Sequence, residues 1–253
     1  MNTTEYLDAI ARESAALADA AERAGLDASV PACPGWTVFD LVEHVGNVQR
    51  WAALTVTTLP TERISRSEMR ELPPPAELVA WFRAASATLV DALAAADPSA
   101  PVWTFSGEHS VRFWFRRQAH EVAVHRWDAA LAAGAPTPID TSLAIDGIAE
   151  WLEMSLGRLA SGLVGHGETV HLHCTDTSAG TATDAGSEAG GEWLVTLAAD
   201  GPTVEARHAK GDVAARGTAS DLDLFVWGRL PADGLDVFGD AELLERFRRA
   251  GFA

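Results

Sequence analysis

Residues 110–134, SVRFWFRRQAHEVAVHRWDAALAAG, decide the predicted fold. They form one predicted helix that runs from near Ser110 to Gly134, and three further amphipathic helices precede it in the chain. Four long helices joined by connections of moderate length favour an up-and-down bundle. The quoted helix also carries two polar residues of special interest, Glu121 and His125.

The three preceding helices are indicated by apolar spacing and by residues typical of helix ends. The first is followed by Gly25 and has apolar residues at three- and four-residue steps, namely Leu7, Ile10, Leu17 and Ala21. In the second, WTVFDLVEHVGNVQRW (36–51), Thr37 is the predicted N-cap and Asp40 completes a capping box. The third opens at the prolines 73–75 and stops near Asp97.

The pattern changes after a fifth predicted helix, residues 141–163. ETVHLHC (168–174) alternates apolar and polar residues, as a half-buried strand does. Two more strands, a short helix, a further strand and a final helix follow up to residue 252. The predicted fold class is therefore α+β with two domains, a helical domain at 1–160 and a small α/β domain at 161–253. The polar, glycine-rich segment from Thr175 to Gly191 is predicted to be a mobile hairpin loop.

The composition limits the classes of function. The chain has 253 residues, 47% hydrophobic and 22% charged, as expected of a soluble globular protein. Its formal net charge of −17 repels phosphate backbones, so a nucleic acid is not the expected partner. The absence of a secretory signal and of a long uninterrupted apolar run, with only Cys33 and Cys174 as thiols, predicts a cytoplasmic protein with reduced cysteines. Lys210 is the only lysine, a bias towards arginine that suggests a high-GC genome such as an actinobacterial one.

A candidate metal site combines residues of two predicted helices. Glu121 and His125 are four residues apart, so they share a helical face and are able to hold one ion. His44 lies in the stripe of the second helix that is predicted to face the bundle interior, with Leu41, Val48 and Trp51. A carboxylate and two imidazoles that project inward suit Zn²⁺, with another divalent metal as the alternative. On the residues alone, ordinary surface or core polarity stays open as the competing interpretation.

His120 directly precedes Glu121, which suggests the H-E-x-x-H motif of zinc proteases. The spacing excludes that motif, because His120 and His125 are five residues apart and differ by about 140° around a helix. We therefore expect His120 to be a neighbour of the site and not a ligand.

Other residues are assigned structural roles. Cys33 has no basic neighbour in the sequence to activate it, which favours a structural or buried cysteine over a nucleophile. His171 and His173 share one face of the first predicted strand at a spacing that can bind metal, but no third ligand is evident in the sequence. Core packing is the default interpretation for four tryptophans that flank the proposed ligands and could instead wall a dry pocket, Trp36, Trp51, Trp114 and Trp127.

Three segments resemble the mycothiol-dependent maleylpyruvate isomerase family: VPACPGWTVFDLVEHVGNVQRW (30–51), RRQAHEVAVHRWDAALAAG (116–134) and ASDLDLFVWGRLPADGLDVFGD (219–240). The resemblance implies a DinB-like four-helix domain followed by a domain similar to sterol carrier proteins. It implies that the family's zinc ligands fall on His44, Glu121 and His125. It also implies that Arg229 is the family's C-terminal arginine, placed to face the zinc across the domain interface.

The resemblance further implies thiol chemistry. Three protein ligands leave a fourth position open, which in the family is held by water and receives the thiol of mycothiol. Mycothiol is therefore the implied cosubstrate. Zinc favours a thiolate over a thiol, so a bound mycothiol sulfur would be deprotonated and become a nucleophile. For maleylpyruvate, the thiolate adds to the double bond, the resulting single bond rotates, and elimination gives fumarylpyruvate. Arg229 is the residue suited to a substrate carboxylate.

Three classes of function remain open. The preferred one is a zinc-dependent enzyme that uses mycothiol for cis–trans isomerisation of a maleylpyruvate-like substrate or for S-transfer to an electrophile. The second is a hydrolase that uses zinc-activated water without a thiol. The third is a non-catalytic protein that holds an apolar ligand in the sterol carrier-like domain. In the enzymatic classes the expected partner is a small anionic or electrophilic molecule, and no membrane is expected.

Overall fold

The computed structural model describes residues 1–66, 70, 72–162, 165–177 and 190–250. The chain divides into two compact units, residues 1–137 and 138–253. Four long helices form the first unit, whereas the second combines helices with a five-stranded sheet. The predicted α+β class, a four-helix domain followed by a small α/β domain, is confirmed.

The helices of the first unit agree with the predicted ones. They are α1 (Thr3–Ala24), α2 (Val38–Thr58), α3 (Leu78–Ala95) and α4 (Val111–Ala132), and a 3₁₀ turn at Pro75–Glu77 leads into α3. The predicted capping box of α2 is present, since the amide of Asp40 donates to Thr37 Oγ1 and the amide of Thr37 donates to Asp40 Oδ2 at 2.8 Å. This cap fixes the start of the helix that carries His44.

Each helix of the bundle packs mainly against two others. α1 packs against α4 and α3, and α2 packs against α3 and α4, so that helices consecutive in the chain are not always neighbours. The connections 25–37 and 96–110 are long enough to lead from one helix to a distant side of the bundle. The ring of neighbours is therefore α1, α4, α2, α3, an order that the helix pattern of the sequence does not specify.

α3 lies within a stretch that meets a membrane-span criterion. Pro75–Ala95 is long and apolar enough to cross a membrane by length and composition, with a mean hydropathy of 1.4. The sequence prediction counted only uninterrupted apolar runs, and Asp91 interrupts this one. Four residues of one face of α3 are fully buried in the bundle, Leu78, Phe82, Leu89 and Leu93. Because a core helix passes the same test, the stretch is weak evidence for a membrane span.

The second unit contains eight α-helices and β-strands in its described part, besides a 3₁₀ turn at Ala232–Gly234. In chain order they are α5 (Thr141–Gly162), β1 (Glu168–Cys174), β2 (Glu192–Ala198), β3 (Gly201–Glu205), β4 (Val213–Gly217), α6 (Ala219–Val226), β5 (Asp236–Gly239) and α7 (Ala241–Ala250). The strands lie in the order β3-β2-β1-β4-β5, and only β1 and β4 form a parallel pair among them. β1 is thus the middle strand of the sheet.

The contacts of α5 determine where the chain divides. α5 packs against α6, α7 and β3, so it belongs to the second unit, whereas the sequence prediction placed it in the helical domain up to residue 160. Four residues of its predicted stripe are fully buried, Leu143, Ile148, Trp151 and Leu152. The remaining two, Leu156 and Leu159, lie outside the described side chains. An apolar stripe shows that a helix packs on one face, but it does not show which core receives that face.

β4 is the strand that the sequence pattern did not predict. Its residues include Ala214, Ala215, Arg216 and Gly217, which have low preference for strands. The strand forms because it pairs with β1 on one side and β5 on the other. Of the predicted mobile loop from Thr175 to Gly191, residues 178–189 lie outside the described part of the chain.

Candidate metal centre

The three predicted ligands converge in the first unit. Glu121 and His125 lie one turn apart on α4, and α2 brings His44 to the same point. Glu121 Oε1 is 3.4 Å from His44 Nε2 and 3.6 Å from His125 Nε2, and the rings of the two histidines have centroids 5.3 Å apart. One potential ligand atom from each residue lies within 4.8 Å of the others.

This arrangement fits a divalent metal ion. Ligand atoms at the corners of a zinc tetrahedron with bonds of about 2.0–2.1 Å are roughly 3.3 Å apart. The two separations from Glu121 Oε1 are close to that value. Two imidazoles and one carboxylate are a ligand set of catalytic zinc sites, which keep the fourth position open.

Asp128 and Arg117 hold two of the three side chains from behind. Asp128 Oδ2 is 2.9 Å from His125 Nδ1, and Asp128 is fully buried. Arg117 Nη2 donates to Glu121 Oε2 at 3.3 Å, which leaves Oε1 towards the histidines. A carboxylate behind a histidine fixes the ring orientation and the tautomer with a free Nε2, as in many metal sites. Both partners were missed in the sequence, although Asp128 follows His125 at the three-residue helical spacing.

The pKa shifts of Glu121 and His125 both favour a positive charge at this site. Burial raises the pKa of Glu121, but hydrogen bonds with His125 and His44 and the charges of His125 and Arg117 outweigh it and hold the pKa well below its usual range. Burial lowers the pKa of His125, but Asp128 and Glu121 raise it above its usual value. Since both shifts favour a cation at this point, the site suits a proton or a metal ion.

Trp36 and Cys33 complete the surroundings. The Trp36 ring is stacked on His125 with centroids 6.5 Å apart, and its centroid is 5.0 Å from that of His44. Cys33 Sγ donates to Asp128 Oδ2 at 3.6 Å, so the thiol lies behind His125. Trp36 therefore contacts the candidate site, whereas Trp51, Trp114 and Trp127 are buried core residues, as predicted by default.

A cavity of about 530 Å³ opens beside His44. Its lining includes Trp36, Glu43, His44, Asn47, Arg66 and Arg70. Arg70 donates to both oxygens of Glu43, at 2.7 and 3.0 Å, and the guanidinium of Arg66 lies 5.6 Å from the Trp51 ring centroid. The two arginines come from the connection between α2 and α3, which has no regular pattern, so the sequence did not single them out.

His120 points elsewhere, as its spacing predicted. It is buried, and its ring packs edge-on against Tyr6 of α1 with centroids 6.2 Å apart. His120 is thus not one of the clustered ligands, and α4 offers Glu121 and His125 to the site.

Arg229 belongs to the second unit. It follows α6, its backbone amide donates to Leu224 O at 2.8 Å, and its Nη1 donates to Trp227 O at 2.9 Å. Its role in binding a carboxylate stays a prediction.

The fold and the cluster define a class: a two-domain α+β protein with a candidate three-ligand metal centre in a helical bundle. The family model described as the mycothiol maleylpyruvate isomerase N-terminal domain matches residues 7–130, and the one described as the MDMPI C-terminal domain matches residues 142–246. The chain therefore belongs to the mycothiol-dependent maleylpyruvate isomerase family.

Solved structures share the fold. A crystal structure of the mycothiol-dependent maleylpyruvate isomerase has a TM-score of 0.63 with 16% sequence identity, covering 94% of this chain and 93% of its own. A histidine-to-alanine mutant of that enzyme has a TM-score of 0.65 with the same identity and coverage. At 16% identity this similarity shows that the fold is shared, and nothing more.

Two curated relatives are described as uncharacterized proteins of Mycobacterium tuberculosis, MT0763 from strain CDC 1551 and Rv0738 from strain H37Rv. Each is 36% identical over 124 residues, which is 46% of this chain. The chain spans 60% of the length of these relatives. Their source is consistent with the actinobacterial character predicted from the arginine bias.

Proposed function

We propose that this chain is a zinc-dependent enzyme that uses mycothiol to isomerise a maleylpyruvate-like substrate or to transfer sulfur to an electrophile. The observation that carries the proposal is the convergence of His44 Nε2, Glu121 Oε1 and His125 Nε2 beside a cavity of about 530 Å³. Membership of the family supports the thiol, since its N-terminal model is named for mycothiol.

His44, Glu121 and His125 are the proposed ligands of the ion. A divalent cation bound there supplies a positive charge that favours the thiolate form of a neighbouring thiol. Asp128 orients His125 by holding its Nδ1 side, and Arg117 orients Glu121 by binding Oε2. These two residues position the ligands and do not themselves contact the reacting atoms.

The cavity provides room for a small molecule, and its lining carries two carboxylates and two guanidinium groups, those of Asp40, Glu43, Arg66 and Arg70. Trp36 walls one side of the cavity, with its ring centroid 5.0 Å from that of His44 and 6.5 Å from that of His125. Because Arg70 donates to both oxygens of Glu43, the guanidinium of Arg66 is the lining group proposed to attract an anion to a protein whose net charge is −17. We assign Arg229 a further carboxylate-binding role, as the family resemblance implies.

In the proposed isomerisation the thiolate sulfur bonds to one carbon of the activated double bond, and the π electron pair moves onto the conjugated carbonyl as an enolate. The remaining carbon–carbon single bond rotates, and return of the electron pair restores the double bond in the trans geometry and releases the thiolate. The thiol is unchanged overall, so no oxidant or reductant is consumed. S-transfer to an electrophile shares the first bond-forming step and leaves the sulfur attached.

The test is to load the protein with Co²⁺ and titrate it with mycothiol. Thiolate ligation is expected to add an intense charge-transfer band, and mycothiol-dependent conversion of maleylpyruvate is expected to accompany it. His125→Ala should remove both signals, whereas His109→Ala, which alters an exposed histidine of the same unit, should preserve them. A wild-type protein that binds no metal, or a His125→Ala variant that binds it unchanged, contradicts the proposal.

A hydrolase is the second candidate, because an open position next to three protein ligands also suits the activation of water. The Co²⁺ titration separates the two candidates. An unchanged spectrum on addition of mycothiol, together with ester or amide hydrolysis, would favour the hydrolase.

A further inference from the structure

A second cluster of potential metal ligands lies in the other unit. His171 and His173 are on β1, Glu192 begins β2, and His208 lies in the connection from β3 to β4. Glu192 Oε2 is 3.0 Å from His171 Nε2, 3.2 Å from His173 Nδ1 and 2.6 Å from His208 Nδ1. One ligand atom from each of the four residues lies within 4.8 Å of the others.

The sheet register brings three of these residues together. His173 is directly opposite Glu192 in the antiparallel pair of β1 and β2, so their side chains point to the same face. His171 is two residues before His173 and therefore shares that face. The opposite side of β1 carries Val170, Leu172 and Cys174, all buried in the hydrophobic core.

The strand order brings in the fourth residue. β3 and β4 are separated by β2 and β1, so the connection 206–212 must pass these two strands. It lies directly against β1, since a Cβ on Gly211 would be 3.1 Å from His171 N and 3.2 Å from His171 Cβ. A side chain at Gly211 would push the connection away from the sheet. The close approach places His208 over the two histidines of β1.

Ordinary hydrogen bonding accounts poorly for this convergence. Three imidazole nitrogens approach the same carboxylate oxygen, and one such oxygen has about two lone pairs for donors. The three rings are nearly perpendicular to one another, with interplanar angles of 81°, 88° and 82° and centroids 5.5–6.1 Å apart. Three imidazoles and a carboxylate whose ligand atoms all lie within 4.8 Å of one another are a donor set that suits a shared cation.

We propose that His171, His173, Glu192 and His208 form a second metal site, which binds Zn²⁺. Three imidazoles and one carboxylate supply four protein ligands, the number that closes a tetrahedral zinc site. A closed site leaves no position for substrate, so its role is structural: the ion ties the connection 206–212 to β1 and β2. The proposal does not depend on the reaction assigned to the bundle.

The experiment measures Zn²⁺ equivalents of the full-length protein by equilibrium dialysis at micromolar free Zn²⁺. In a His125→Ala background, which disables the bundle site, we expect about one equivalent to remain. Adding His208→Ala, at a side chain that is 76% exposed, should weaken this binding by about tenfold or more. Adding His173→Ala as well should abolish it.

His166→Ala is the matched control, because it removes another exposed histidine of the same unit and should leave binding unchanged. A second readout is hydrogen exchange, which Zn²⁺ should slow in residues 206–212 of His125→Ala and not in His125→Ala/His208→Ala. Two results overturn the proposal: no Zn²⁺ bound by folded His125→Ala, or Zn²⁺ still bound after loss of both His173 and His208. If the wild type and His125→Ala each bind one equivalent, the bundle site has failed and the sheet site stands.

Discussion

The proposed bundle site and the proposed sheet site are built from similar residues arranged in different ways. In the bundle, two ligands come from one helix and the third from another, and the cluster adjoins a cavity. On the sheet, two neighbouring strands and a connection bring three histidines to one carboxylate oxygen of Glu192. A shell of three suits chemistry because it leaves a position open, whereas a shell of four suits stability because it is closed.

The sites also differ in what supports them. In the bundle, Asp128 and Arg117 lie behind the ligands and are buried. On the sheet, the support is the strand register and the close approach of Gly211 to His171. Side-chain hydrogen bonds thus orient the first site, and backbone placement orients the second.

The largest expected difference between the two regions is the reactivity of their thiols. Burial, with the charges of Asp176, Asp223 and Glu192, raises the pKa of Cys174 from 9.0 to about 12, so its thiolate fraction at neutral pH falls about a thousandfold. Cys33 near the bundle site is partly exposed. Iodoacetamide should therefore modify Cys33 first, as followed by peptide mass spectrometry.

Complete unfolding is the control for thiol labelling, because both cysteines should then react at similar rates. Equal rates in the native protein would show that Cys174 is accessible, contrary to its 1% exposure.

Loss of the carboxylate should affect the two sites unequally. Glu121→Gln leaves two imidazoles as ligands in the bundle. Zn²⁺ affinity should therefore fall by more than the roughly 10–100-fold caused by losing a residue that only orients a ligand, and activity should fall with it. Glu192→Gln leaves three imidazoles on the sheet and should cost less affinity. Competition with a chromophoric chelator measures both, and the reverse ranking would contradict the assignment of the open and closed shells.

Asp128→Asn should weaken Zn²⁺ binding in the bundle by about 10–100-fold, because a neutral amide orients and polarises His125 less well. The sheet site should be unaffected. Cys33→Ser is the matched comparison, since it changes a second partner of Asp128 Oδ2 and keeps a donor there. Circular dichroism distinguishes loss of affinity from loss of fold, and wild-type affinity in folded Asp128→Asn would exclude the positioning role.

The smallest expected effects come from two equivalent helix caps, one in each unit. Thr37 caps α2, which carries His44, and Thr218 caps α6. Thr37→Ala and Thr218→Ala should each lower the free energy of unfolding by about 1 kcal/mol, measured in urea. Thr→Ser should restore most of it at either position. A change near zero would mean that the hydroxyl does not stabilise that helix.

The clustering of the three candidate ligands in the bundle could be predicted because helical spacing acts locally. Glu121 and His125 share a face in any helix that contains both, and the apolar stripe around His44 turns it inward. The same rule placed His120 outside the site, and its packing on Tyr6 agrees. Arg66 and Arg70 could not be predicted, since they come from an irregular connection whose path depends on tertiary packing.

The cluster on the sheet could not be predicted from the sequence, and the reason is physical. The sequence showed His171 and His173 as a pair on one strand. Glu192 lies next to them because of the register between β1 and β2, and His208 lies next to them because the connection 206–212 passes over β1. The strand order that requires this passage depends on β4, whose alanines, arginine and glycine give no strand pattern. The division of the chain before α5 was hidden in the same way, because periodicity does not identify the partner of an apolar face.

By itself, the sequence determined the four helices of the bundle, the capping of α2, the alternation of β1 and the choice of His44, Glu121 and His125 as candidate ligands. These features depend on residues near each other in the chain or on one repeating period. Only the tertiary structure decided the order of helices in the bundle, the place of β4, the positions of Asp128 and Arg117 behind the ligands, and the meeting of Glu192 and His208 with the histidines of β1. Contacts between distant segments depend on register and packing, which local periodicity does not encode.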